Sequence, residues 1–452
     1  MILQIGEIMT SLTFYGGVSE VGGNKIMVED RGTKILLDFG IAFNTGEDYW
    51  INWLQPRSAK PLKDRFEFGM LPKIKGLYRK DLLKGTGLQY VKPEIDAVFC
   101  THAHFDHVGY LGFIDENIPV YLGEGTKLIM KTVEEQSPMA DYGEHLYRTF
   151  RTGKKIKIDS LEVEPVHVDH SIPAAYGYII HTSEGSVVYT GDLRMHGVRS
   201  DMTNDFINKA KESEPAAMVS EGTRIGSERK TNHTEKEVKT KSCEVASKTK
   251  KLVITTFYPR DIDRLRTFYQ VAKDSGRKFV VSLKAAHLLS RLKEDKRLPV
   301  PDVMSDPDML VYLRPKNRYY KWEQPFLDNA VDCDYVHKNQ SMLILNLGLM
   351  QFAELIDIRP DKGSHFIHSM SEPFSDEDIE DEVMHNWLEH FGLNFHQLHA
   401  SGHCSGREII KNIETIKPKK VFPVHTGEPE MFKKLVKGVK VECPEVGRRY
   451  NL

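Results

Sequence analysis

The chain has 452 residues, 62 of them Lys or Arg and 64 Asp or Glu, for a formal net charge of −2 with 28% of residues charged. This balance excludes a generally basic coat, so any nucleic acid must be met through local surfaces. The 33 Gly and 21 Pro exclude low-complexity and collagen-like classes, and the length allows about three domains or one large fold with an insertion.

Five scattered cysteines (Cys100, Cys243, Cys333, Cys404, Cys443) form no CxxC pair. A reducing compartment is expected rather than a disulfide framework. The first residues carry Glu7 and no basic n-region, and the most apolar run, 342–350, is too short to span a bilayer. A cytoplasmic protein with no membrane contact is therefore expected.

In chain order, short β-rich segments dominate the N-terminal half, at 12–15, 34–39, 97–101, 120–122, 175–180 and 187–190, most bounded by Gly, Asp or Asn. The rhythm changes near Glu221. Thr234 with Glu237 predicts a capping box opening a polar helix, 252–257 a strand, Asp261 the cap of a helix to about Asp274, and Gly276 its stop. A strand at 279–283 and a helix near 285–293 follow, and such alternation predicts a parallel α/β module. The stretch 299–340 reads as irregular excursions. Ser375 is expected to open an acidic helix that Gly392 closes.

The decisive stretch is Thr101-His102-Ala103-His104-Phe105-Asp106-His107, directly after the apolar run 97–100. Three imidazoles and a carboxylate on a loop leaving a strand can converge on one centre, and they are the ligand types of catalytic zinc. Asp38 in LLDFG, His170 in HVDHSIP, Asp192 in VVYTGDLR and His425 in VFPVHTGE also sit at or near strand ends, which implies sheets that deliver polar groups to one edge.

This order of motifs resembles the metallo-β-lactamase superfamily. The resemblance implies an αββα sandwich with two zinc ions, manganese being the alternative. One metal is expected on His102, His104 and His170, the other on Asp106, His107 and His425, with Asp192 bridging and Asp38 orienting the cluster. Roughly half the chain separates Asp192 from His425, which predicts an inserted parallel α/β domain and resembles the beta-CASP nuclease branch; the expected parts are 1–221, 222–366 (inserted) and 367–452. Glu221 in VSEGTR and His403 in HASGHCS fit the same branch, and His425 favours its RNA-processing members. The best match is the ribonuclease J family, through GGVSEVGGN, FYPRDIDRL and His399-Ala400-Ser401-Gly402-His403-Cys404-Ser405, in its archaeal type without the extra C-terminal domain. The Gly-rich segment of bacterial members reads MSEPFS here, at 370–375.

The function so implied is a two-metal ribonuclease, mainly a 5′→3′ exonuclease preferring 5′-monophosphate ends, in RNA decay or maturation. Asp106, Asp38, Glu221 and His403 are the expected catalytic residues, with His403 as general acid polarised by Glu221. His399, Ser401 and Gly402 are expected at the RNA 5′ phosphate. Single-stranded RNA is the expected partner, along a channel drawn from Arg224, Lys251, Arg260, Arg264, Arg266 and the 314–321 cluster; oligomeric state is open, a homodimer being the arrangement entertained. The alternatives are an endonuclease of the mRNA 3′-end cleavage type, a small-molecule metallohydrolase, and an inactive RNA-binding subunit.

Overall fold

A computed structural model describes residues 9–43, 49–51, 53–226, 232–372 and 378–452. Three seven-stranded sheets account for the architecture. The first runs, edge to edge, Arg449–Asn451, Ser11–Gly16, Lys25–Asp30, Thr33–Leu37, Ala97–Cys100, Val120–Gly123 and Tyr147–Phe150. Its first four strands pair antiparallel and the rest parallel. The second runs Lys440–Val441, Lys420–Val424, Ala217–Glu221, Gly185–Tyr189, Tyr176–Thr182, Leu161–His167 and Ile156–Ile158. These two sheets face each other.

The apolar residues between them explain the pairing. Phe14, Val28, Leu37 and Phe99 of the first sheet share one buried core with Tyr178, Val187, Val219 and Phe422 of the second, and the Phe14 and Phe422 rings lie 5.2 Å apart. Outer faces are covered too. Helix Glu124–Gln136 buries Ile129 and Met130 on the first sheet; helices Ser200–Glu212 and Gly406–Ile416 bury Phe206, Ile409 and Ile413 on the second. Strand Ala97–Cys100 is buried at every position because both of its faces are covered, which is why it reads as a continuous apolar run. The expected αββα sandwich is the observed one.

The third sheet is parallel throughout, in the order Ala330–Val331, Met309–Tyr312, Lys278–Ser282, Leu343–Asn346, Val253–Thr256, His365–His368, Asn394–Gln397. Helices Ile262–Asp274 and Leu283–Leu292 cover one face and helix Ile379–Phe391 the other. The inserted α/β domain is thus real. The capping box of Thr234 and Glu237 opens helix Glu235–Lys248, Asp261 accepts from the Arg264 amide at 2.9 Å, and Gly276 takes a φ of 67°.

Three expectations need correction. The stretch 299–340 holds two strands of the third sheet and helix Cys333–Lys338; its strands are short and turn-interrupted, so no alternation betrayed them. A boundary at 366 would cut strand His365–His368, and the sheet continues to Gln397; these last strands are polar and half-exposed, which hid them. The acidic helix is capped by Asp378, which accepts from the Glu380 and Asp381 amides, and Gly392 ends it; Ser375 lies outside the described residues, as do Pro373 and Phe374. Among the described residues, no helix is long and apolar enough to cross a membrane.

Candidate metal centre

The HAHFDH motif leaves strand Ala97–Cys100 and turns at once into the short helix Phe105–Val108, so alternate side chains point to the same sheet edge. Its backbone is pinned from below. Phe39 donates to the His107 carbonyl at 2.8 Å, Ile41 to that of Phe105 at 3.0 Å, and Gly23 to that of Asp106 at 3.1 Å. Between them Gly40 comes so close that a Cβ would stand 1.6 Å from the Asp106 carbonyl oxygen. Only glycine fits there.

The structure brings all seven expected ligands together. His102, His104, His170 and Asp192 form one group and Asp106, His107, Asp192 and His425 a second, each with its donor atoms within 4.8 Å of one another; Asp192 belongs to both. His102 Nε2 and His170 Nε2 stand 3.0 and 3.1 Å from His104 Nδ1. Burial keeps all three imidazoles neutral, and His170 donates its Nδ1 proton to the Gly402 carbonyl at 2.6 Å, so its Nε2 lone pair faces inward. Converging lone pairs ask for a cation.

The second group makes the same demand. His425 Nε2 lies 2.9 Å from Asp106 Oδ2, and His107 Nε2 3.1 Å from Asp192 Oδ2. Burial works against a charged His107, yet the carboxylates of Asp192, Asp38 and Asp106 outweigh it and hold its pKa well above the usual range. Asp192 Oδ1 is buried without a hydrogen-bond partner among the described residues. An orphaned carboxylate oxygen between two imidazole groups fits a metal ligand, and the residues present suit the implied ions.

Supporting residues fix this geometry. Asp38, fully buried and at a φ of 55°, accepts from the Thr101 amide at 2.7 Å, from Tyr189 Oη at 2.7 Å and from His107 Nδ1 at 2.8 Å. It cannot reach a substrate. Its work is to orient His107 and leave Nε2 free for the centre. His425 has a φ of 53° and is held by Thr223 Oγ1, 2.8 Å from its Nδ1. Two non-glycine residues in left-handed backbone at one site are strained in a way that the surrounding bonds over-determine.

His403 stands beside the ligands, its ring centroid 5.2 Å from that of His170 and 5.5 Å from that of His425, with Nδ1 3.3 Å from Glu221 Oε1. Glu221 is held by the Thr223 amide at 3.0 Å. Burial disfavours a charged His403, but Glu221 and Asp192 prevail and hold its pKa at about 9. The protonated form is therefore the one favoured at neutral pH.

The loop 399–402 is held by its own set of bonds. His399 donates from Nδ1 to the Ser369 carbonyl, and burial lowers its pKa to about 3, so its other nitrogen is an acceptor. Ser401 Oγ accepts from the His403 amide, which leaves its own proton as the donor. A Cβ on Gly402 would lie 2.9 Å from the His170 ring, so Gly402 serves close packing. Arg264, expected along RNA, is fully buried: it pairs with Glu235 at 2.9 Å and donates to the Ala400 and Ser369 carbonyls at 3.0 and 2.8 Å. Glu235 also pairs with Arg194, which reaches Asp169, next to His170, at 2.9 Å. Local motifs could not reveal Tyr189, Thr223 or this network, whose partners are distant in sequence. Thr101, at the head of the motif, carried a signal.

Sandwich and edge cluster together define a metallo-β-lactamase-type, metal-dependent hydrolase. Residues 80–212 match the family model described as a beta-lactamase superfamily domain, and 392–444 the one described as a Zn-dependent metallo-hydrolase RNA specificity domain. Ribonuclease J of Mycoplasma genitalium is 23% identical over 97% of this chain and 71% of its own length, and ribonuclease J 2 of Staphylococcus aureus 22% over 92% and 68%. Ribonuclease J of Pyrococcus abyssi is 26% identical over 49% of this chain and 47% of its own. A crystal structure of a protein of unknown function from Enterococcus faecalis V583 superposes with a TM-score of 0.78 at 23% identity, covering 98% of this chain and all of that one. Over nearly its whole length the chain is similar to members of the ribonuclease J family.

Proposed function

We propose that this protein is a ribonuclease that hydrolyses phosphodiesters of single-stranded RNA, chiefly as a 5′→3′ exonuclease preferring 5′-monophosphate ends. One observation carries the reading: two donor groups that share Asp192 lie beside a proton-bearing His403. Two zinc ions, or manganese in their place, would be held by His102, His104, His170 and Asp192 and by Asp106, His107, Asp192 and His425. When bound, they supply Lewis-acid activation of water and stabilise charge developing on the phosphate. His403 gives its proton to the leaving 3′ oxygen, and Glu221 restrains Nδ1 so that Nε2 is the nitrogen presented to substrate.

The preference for an end rests on the loop 399–403. Its backbone is immobilised by bonds from His233 to the His399 carbonyl, from Arg264 to that of Ala400, and from Ser401 to the Asn232 side chain. The Ser401 hydroxyl therefore stands at a fixed reach from His403, as a site that measures one nucleotide from a terminal phosphate requires. RNA labelled at either end, offered with 5′-monophosphate or 5′-triphosphate and as a circle, tests this. Mononucleotides should accumulate from the 5′ label, fastest from the monophosphate. Equal rates on both termini would remove the 5′-end preference, and cutting of the circle would replace the exonuclease by an endonuclease.

A further inference from the structure

Arg260 belongs to the inserted domain, yet its guanidinium lies on the metal-binding motif of the sandwich. It stacks 4.4 Å above the centroid of the Phe105 ring and donates to the Ala103 carbonyl at 3.2 Å. The Tyr142 phenol is beside it. Among the described residues, no carboxylate pairs with it within 4.0 Å, whereas the buried Arg194 and Arg264 each have an acidic partner at 2.9 Å. Desolvation pushes its pKa down, and its charge is felt by His104 and Asp106.

This arrangement is electrostatically odd. A half-buried cation beside donor groups suited to further cations is repelled whenever they are filled, and burying a charge without a counter-ion is unfavourable. An arriving anion removes both penalties. Guanidinium is also the side chain best shaped to grip phosphate oxygens, and stacking on Phe105 holds the fork without using its donors. His403 touches His170 and His425, while Arg260 sits by His104 and Phe105, so the two positive side chains flank the cluster through different ligands.

We infer that Arg260 is a substrate-binding residue that the inserted domain delivers to the metal edge, where it grips a phosphate of the RNA backbone at or next to the scissile position. The inference rests on the ribonuclease reading above. It makes contact between the inserted domain and the motif a condition for productive binding, because the guanidinium comes from that domain.

Two variants separate charge from structure. Arg260→Lys keeps the charge, and Arg260→Gln keeps a donor for the Ala103 carbonyl but loses the charge. Binding of a phosphorothioate-linked single strand to the metal-loaded protein is followed by fluorescence anisotropy against salt, with metal content and melting temperature measured alongside. Arg260→Gln should bind about tenfold more weakly and lose about 0.7 from the slope of log affinity against log salt, one phosphate contact on a single strand. Arg260→Lys should keep the wild-type slope. Wild-type slopes in both variants, or a loss of bound metal that accompanies the weaker binding in both, would overturn the inference in favour of a purely structural Arg260. A wild type that cleaves bis(4-nitrophenyl) phosphate but not RNA would instead overturn the ribonuclease reading. The role of Arg260 would then be read on that diester, where a higher KM for Arg260→Gln than for Arg260→Lys supports it and equal KM values overturn it.

Discussion

Asp38 shows how much a single side chain can decide without touching substrate. It accepts from Thr101, Tyr189 and His107, and Tyr189 is itself held by Asn24 Nδ2 at 2.8 Å, so one carboxylate ties three strands to one imidazole. Asp38→Asn replaces an acceptor by an amide that can turn a donor toward His107 Nδ1. Metal affinity should fall about 10- to 100-fold with little change in fold, read by competition with a chelator and by circular dichroism; unchanged affinity would assign Asp38 to packing alone. The ligands themselves were legible in the sequence because four lie within six residues and the others close apolar runs. The acceptors and donors behind them were not. Tyr189 looks like any inward aromatic of a strand, and nothing local says that its hydroxyl meets a carboxylate 151 residues away.

Among the elements, the loop 399–403 combines the most constraints in the fewest residues, and its stability is open to pH. The buried, neutral His399 has a pKa of about 3 against 6.5 in an unfolded chain. Above pH 6.5 both states are neutral and the group contributes no pH dependence. As the pH falls below 6.5 the unfolded chain takes up a proton that the folded loop refuses, so stability drops, by about 2 kcal/mol at pH 5. Urea denaturation at pH 7 and pH 5 should show a smaller decline for His399→Gln than for wild type; parallel declines would mean that His399 is protonated in place. The sequence located this loop by its motif but not the bonds that hold it. The hydrogen-bond partners His233, Arg264 and Asn232 come from another domain, and no periodicity encodes them.

Over the whole molecule, the buried chain Asp169, Arg194, Glu235, Arg264 joins the sandwich to the inserted domain behind the catalytic edge. Arg264→Met should destabilise the protein by about 3–5 kcal/mol, since it leaves Glu235 with Arg194 as its one guanidinium partner and takes the donor from the Ala400 carbonyl, as measured by denaturant midpoint at pH 7. A loss under about 1 kcal/mol would show that solvent reaches the network. The gross plan, sandwich plus insertion, was readable from motif spacing, but the extent of the third sheet was not, because its outermost strands are short and only partly buried.

The position of that sheet in the chain also sets an order of events. All of its strands lie between Val253 and Gln397, whereas the second sheet still awaits Lys420–Val424 and the first awaits Arg449–Asn451. On the ribosome, the guest can therefore finish folding while its host is still open on one edge of each layer. His425 follows Lys420–Val424 directly, so the donor group of His102, His104, His170 and Asp192 is complete in the chain before the guest is made, whereas the group that needs His425 is completed only after it.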